Sequence, residues 1–89
     1  MPQWEIILQG RVQGVGFRYL ARKHALRLGL RGYVRNHPDG SVRIVADAED
    51  GLMDVYCELL RRGNVFSRVD TLNTELIDKP KEYKDFEII

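Results

Sequence analysis

Two short stretches of this 89-residue chain carry residue types and spacings that can do chemistry. The first is Gly10-Arg11-Val12-Gln13-Gly14-Val15-Gly16-Phe17-Arg18. It joins an alternating apolar segment to a helical pattern. Glycines at such a junction let the backbone curl so that several N–H groups point into one concavity. The N-terminus of the following helix adds partial positive charge. Arg18, in the first helical turn, can grip two oxygens of a tetrahedral anion at once. The stretch has no Gly-Lys-Ser/Thr, hence no built-in magnesium ligand, and it does not match the dinucleotide G-x-G-x-x-G. Two readings stay open: an anion cradle, or a glycine-rich turn fitted to tight strand–helix packing.

The second stretch is Gly32-Tyr33-Val34-Arg35-Asn36-His37-Pro38-Asp39-Gly40-Ser41-Val42. A carboxamide at Asn36 donates and accepts together, so it can hold a water molecule with a defined lone-pair direction. Asn before a turn is also a common turn former, and both readings are kept. Charge is unevenly spread. Residues 1–43 hold eight Lys/Arg against two Asp/Glu (+6), and residues 44–89 hold six against eleven (−5), which returns the net +1. A basic N-terminal half suits an anionic ligand; the plainer reading of Arg22, Lys23 and Arg27 is a solvated helix face.

The surrounding pattern supplies the elements that must position these residues. Residues 4–9 alternate as a strand, with Trp4, Ile6 and Leu8 on one face. Gly10 to Gly16 reads as a loop. Residues 17–29 place Phe17, Leu20, Ala21, His24, Ala25 and Leu28 at helical spacing, with Gly29 at the end. Residues 31–36 and 41–47 read as a hairpin around His37-Pro38-Asp39-Gly40. A second helix is expected to begin near Asp47, with Asp47 as its cap and Asp50 three residues on in a box-like arrangement. Its stripe is Leu52, Val55, Tyr56, Leu59 and Leu60, and Gly63 ends it. Residues 68–77 and 84–89 read as strands. The order β-α-β-β-α-β with a short extra C-terminal strand predicts one domain over 1–89. The expected fold is a ferredoxin-like α+β sandwich, its sheet mainly antiparallel and its two helices on one face.

Gly10 to Arg18 resembles the first acylphosphatase signature, Gly-x-Val-Gln-Gly-Val-x-Phe-Arg, at every fixed position. Gly32 to Val42 resembles the second, Gly-aromatic-small-basic-Asn-x-x-x-Gly-x-Val. Both lie at the family's usual positions in a chain of its usual length. Two departures are visible: Ala48 stands where a glycine is common, and the ending Phe86-Glu87-Ile88-Ile89 lacks the tyrosine often found there. The resemblance implies metal-free hydrolysis of acyl phosphates with no cofactor. Arg18 and the backbone N–H groups of Gln13, Gly14, Val15, Gly16 and Phe17 would bind the phosphoryl oxygens, and Asn36 would position the attacking water. Inorganic phosphate would be both product and competitive inhibitor. A related alternative is a non-catalytic or fused relative using the same cradle. Such domains open hydrogenase-maturation carbamoyltransferases, where proline typically follows the arginine; Tyr19 follows it here.

Other chemistry finds little footing. His24 lies on an apolar stripe, and His37 has no apparent partner. Cys57 has no nearby histidine to activate it. The cluster Asp47, Glu49, Asp50, Asp54 lacks calcium-loop spacing. An RNA-binding module shares the element order, but its third strand carries stacking aromatics, and Ser41 to Asp47 has none; no nucleic-acid partner is expected. No apolar run approaches the roughly 18–20 residues that span a bilayer, and the N-terminus lacks the pattern of a signal peptide. A monomer in the cytoplasm, with no membrane partner, is the expectation, and a single cysteine fits a reducing compartment.

Overall fold

The computed structural model describes residues 1–89 as β1 (Gln3–Arg11), α1 (Phe17–Leu28), β2 (Gly32–Asn36), β3 (Val42–Asp47), α2 (Asp50–Arg62), β4 (Arg68–Leu76) and β5 (Phe86–Ile88). The strands form one sheet in the order β4-β1-β3-β2-β5. β1 and β2 each pair antiparallel with the central β3, so they run in the same direction and their C-terminal ends share one edge of the sheet. β5 pairs parallel with β2. This is the expected ferredoxin-like α+β arrangement, with a mainly antiparallel sheet.

The period-2 pattern decides which face is covered. Ile6 and Leu8 of β1, Val34 of β2, and Val42, Ile44 and Ala46 of β3 are all buried. They meet Phe17, Ala21 and Ala25 of α1 and Met53, Tyr56 and Leu60 of α2 in one core, so both helices lie on the same face. Tyr56 ties the helices together: its hydroxyl donates to the Ala21 carbonyl at 2.9 Å, and its ring meets Phe86 edge-on. Burial drives the Tyr56 phenol well above its ordinary range. Next to it Cys57 is buried and unpaired, its thiol pushed up mainly by burial. No helix is long and apolar enough to cross a membrane.

Three expectations are corrected. β1 runs on through Gly10 and Arg11 and does not yield to a loop at Gly10, because both pair with β4 across a bulge between Gln9 and Gly10. Asp47 does not cap α2. It faces Gln3 across β1–β3, where the Gln3 amide donates to its carboxylate at 2.8 Å. α2 starts three residues later, with Glu49 at the N-cap, no side-chain cap bond, and Met53 N–H donating to the Glu49 carbonyl. The strand expected over 84–89 shrinks to Phe86–Ile88, where pairing with β2 is available. Ala48 is fully buried in the core, and its carbonyl accepts the Trp4 indole N–H.

Candidate active site

The loop between β1 and α1 is short and pinned at both ends. Val12 and Phe17 flank it and are both 1% exposed; burying each contributes about 1.5–3 kcal/mol. Between them Gly14 and Gly16 sit in the left-handed region, at φ +71° and +76°, a turn that side-chain-bearing residues resist. Gly16 is the N-cap of α1 and offers no side-chain cap. None of the backbone N–H groups of Gln13, Gly14, Val15, Gly16 and Phe17 donates to any group of the chain. Free amides at a helix N-terminus are able to receive an anion; of these five residues Gly14, Gly16 and Phe17 line the adjoining cleft, and Gln13 and Val15 do not.

Two side chains brace this loop from outside. Nε2 of Gln13 donates to the carbonyls of His37 (2.7 Å) and Ser41 (2.9 Å), tying the loop to the β2–β3 turn. Nδ2 of Asn64, in the connection after α2, donates to the Val15 carbonyl at 2.9 Å. Asn64 carries no signal in the sequence: its bond spans 49 residues and belongs to no local motif.

A cleft of about 170 Å³ opens here, lined by Gly14, Gly16, Phe17, Arg18, Tyr19 and Asn36, with Val12 at its base. Both candidate stretches of the sequence thus meet in one place. They meet because β1 and β2 end on the same edge of the sheet. Arg18 is half-buried and takes part in none of the chain's four ion pairs, so its guanidinium is not neutralised from within. The Asn36 side chain makes no hydrogen bond inside the chain, and its Oδ1 is shielded from solvent and unpaired. The adjacent turn is held by Asp39 instead, whose carboxylate accepts Ser41 N–H (2.9 Å) and Ser41 Oγ–H (2.6 Å). Those bonds, the hydroxyl's first, hold the Asp39 carboxyl below its usual range. The turn-former reading of Asn36 finds no bond to rest on.

The cleft is open to solvent, so the part of a ligand that does not sit against the loop is free to extend outward. The exposed Tyr19, missed in the sequence, stands at its mouth. The chain's largest cleft, about 530 Å³, lies between α2 and β4 and contains neither Arg18 nor Asn36. Asp50, Asp54 and Glu58 outweigh Arg61 along its wall, a poor setting for an anion. His24 and His37 are both half-buried and neither lines the small cleft. No group of three or more His, Cys, Asp or Glu is placed to hold a metal ion.

The chain is similar to known proteins in both sequence and structure. The sequence model of the family described as Acylphosphatase matches residues 4–88. A curated acylphosphatase of Nitratidesulfovibrio vulgaris is 54% identical over 70 residues, covering 79% of this chain and 70% of that one. One from Geobacillus thermodenitrificans is 34% identical over 89 residues, covering 100% and 95%. The crystal structure of acylphosphatase from Bacillus subtilis superposes with a TM-score of 0.94 at 35% identity, covering 100% of this chain and 99% of that one.

Proposed function

This chain belongs to the acylphosphatase family, and from that premise we propose that the loop–helix cleft is where it hydrolyses its substrate. The activity is that of an acylphosphatase, a hydrolase acting on acyl phosphates. In the proposed mechanism the free amides of Gln13 to Phe17 and the Arg18 guanidinium hold the non-bridging phosphoryl oxygens. The Asn36 carboxamide, unbonded within the chain, holds the attacking water in line with phosphorus. The water oxygen bonds to phosphorus as the bond from phosphorus to the acyl oxygen breaks. The carboxylate leaves with the electron pair. The water's proton passes to a phosphoryl oxygen or to the departing carboxylate, because neither Arg18 nor Asn36 can serve as a base. A carboxylate leaving group needs little acid catalysis, so positioning and charge stabilisation carry the rate.

The observation that carries this reading is the Asn36 side chain, without a hydrogen bond inside the chain, on the wall that also holds Arg18 and the loop residues Gly14, Gly16 and Phe17. The same reading makes the reaction metal-free, since the cleft is lined by neither carboxylate nor imidazole. It takes residues 1–89 as one acylphosphatase-like domain, supported by a single core that draws on both helices. It takes the protein as a cytoplasmic monomer, with inorganic phosphate as product and competitive inhibitor. An RNA-binding role finds little platform: on the open face of the inner strands, beside Glu5, Ile7, Arg43 and Val45, the one aromatic is Tyr33, packed edge-on against Tyr83. The test is hydrolysis of benzoyl phosphate by the purified protein in excess EDTA. Full turnover is expected. Activity that vanishes in EDTA and returns with magnesium would sink the metal-free mechanism.

A further inference from the structure

Five free amides bind an anion together only if each peptide plane is turned the right way. A trans peptide holds its C=O and the following N–H on opposite sides, and the chain has no cis peptide. Whatever fixes the Val15 carbonyl therefore fixes the direction of the Gly16 N–H. Asn64 fixes that carbonyl through its Nδ2 at 2.9 Å. Asn64 is not among the residues lining the cleft, so the carbonyl points outward and the Gly16 N–H points in.

No other hydrogen bond in the chain holds this plane. A flip needs only ψ of Val15 and φ of Gly16 to change together, and Gly16 has no Cβ to oppose either setting. A Cβ built at Gly16 would meet nothing closer than Asn64 Nδ2, at 4.0 Å. Asn64, by contrast, is locked. Its Oδ1 accepts the N–H groups of Phe66 and Ser67, each at 2.9 Å, and its own N–H donates to Ser67 Oγ at 2.9 Å. The two amides facing Oδ1 and the carbonyl facing Nδ2 admit only one orientation of the carboxamide.

We propose that Asn64 is a positioning residue: by pinning the Val15–Gly16 peptide it keeps the Gly16 N–H turned into the cleft, beside Arg18, to bind the phosphoryl group. The proposal rests on the cleft being the acyl phosphate site. Asn64 touches no substrate atom and acts only through the Val15 carbonyl.

Two variants separate this from a turn-forming role. Asn64→Asp keeps an oxygen for the Phe66 and Ser67 amides but loses the donor. Asn64→Ser is neutral and can still accept from the turn, but is too short to reach Val15. Inorganic phosphate inhibition is measured against acetyl phosphate turnover, with melting temperature and the Gly16 amide NMR shift followed during phosphate titration. In both variants the phosphate inhibition constant is expected to rise about tenfold, the loss of about one hydrogen bond to a charged group. The Gly16 amide should stop responding to phosphate. The added charge of Asn64→Asp should make its defect salt-sensitive, and that of Asn64→Ser should not be. Wild-type inhibition in both variants, with only the melting temperature lowered, overturns the proposal and leaves the acylphosphatase mechanism standing. A wild-type Gly16 amide that ignores saturating phosphate overturns it without any variant. A wild type that neither turns over acetyl phosphate nor binds phosphate overturns the underlying reading and this proposal with it.

Discussion

Arg18 and Asn36 divide the work of the cleft by charge, and that division predicts different kinetic signatures. Arg18 is positive at any working pH and grips oxygens present in substrate, transition state and product alike. Arg18→Ala should abolish phosphate inhibition and lower kcat/KM by at least about 10²–10³-fold. Arg18→Lys should recover little, because a point charge cannot copy the bidentate fork; a lysine variant with near-normal kinetics would refute that geometry. Asn36 is neutral and in the proposed mechanism touches only the water. Asn36→Ala should cut kcat by roughly 10²–10³-fold while the phosphate inhibition constant stays within about twofold. Retained kcat with weakened phosphate inhibition would mean that the residue holds phosphate and not water. Both residues were legible in the sequence because each sits in a compact motif whose glycines mark the backbone around it. Asn64 was not, because its contact is made by a side chain reaching 49 residues back, and nothing local distinguishes it from any asparagine in a turn.

Among the elements, β2 sets the position of Asn36, and its entry is the tightest point of the sheet. Gly32 has φ +149°, and a Cβ there would fall 1.7 Å from the Val45 carbonyl oxygen of β3. Either β2 or β3 must then move. Gly32→Ala is expected to cost about 3 kcal/mol or more, a large share of the roughly 5–15 kcal/mol that holds a domain together. Urea unfolding checks this; a midpoint within experimental error of wild type would mean that the strand pair yields without cost. Most elements could be read from periodicity because one face of each is buried. The failures have local physical causes. Asp47 looks like a helix cap, but the Gln3 amide opposite it in the sheet claims the carboxylate. Along β4 the bulge opposite Gly10 shifts the register, so Val69 and Leu72 both pack toward the core despite their odd spacing. Strict alternation cannot foresee that.

At the scale of the whole molecule, the opposed charges of the two halves survive folding as a difference between the helices. α1 carries Arg18, Arg22, Lys23 and Arg27 with no acid, while α2 carries Asp50, Asp54 and Glu58 against Arg61 and Arg62. The cleft lies at the N-terminus of the positive helix, where the field draws an anion in. The same field falls on His24. Burial first, then Lys23 and Arg27, lower its pKa below the ordinary 6.5. Between the lowered folded value and the unfolded 6.5 the unfolded chain binds more protons, so stability falls as pH drops through that window. His24→Gln should flatten the decline in melting temperature below about pH 6.5. Equal slopes in the two proteins would show that His24 contributes nothing to it. Cys57 has a different use. The chain's one thiol is 6% exposed beside the Tyr56 clasp, and burial holds it in the protonated, unreactive form. It also lines the open cleft between α2 and β4, so a thiol-specific reagent is expected to label it slowly in the folded protein and faster once α2 lifts from the core. The labelling rate in plain buffer thus sets a ceiling on how fast that opening occurs, read on the unmodified sequence without denaturant.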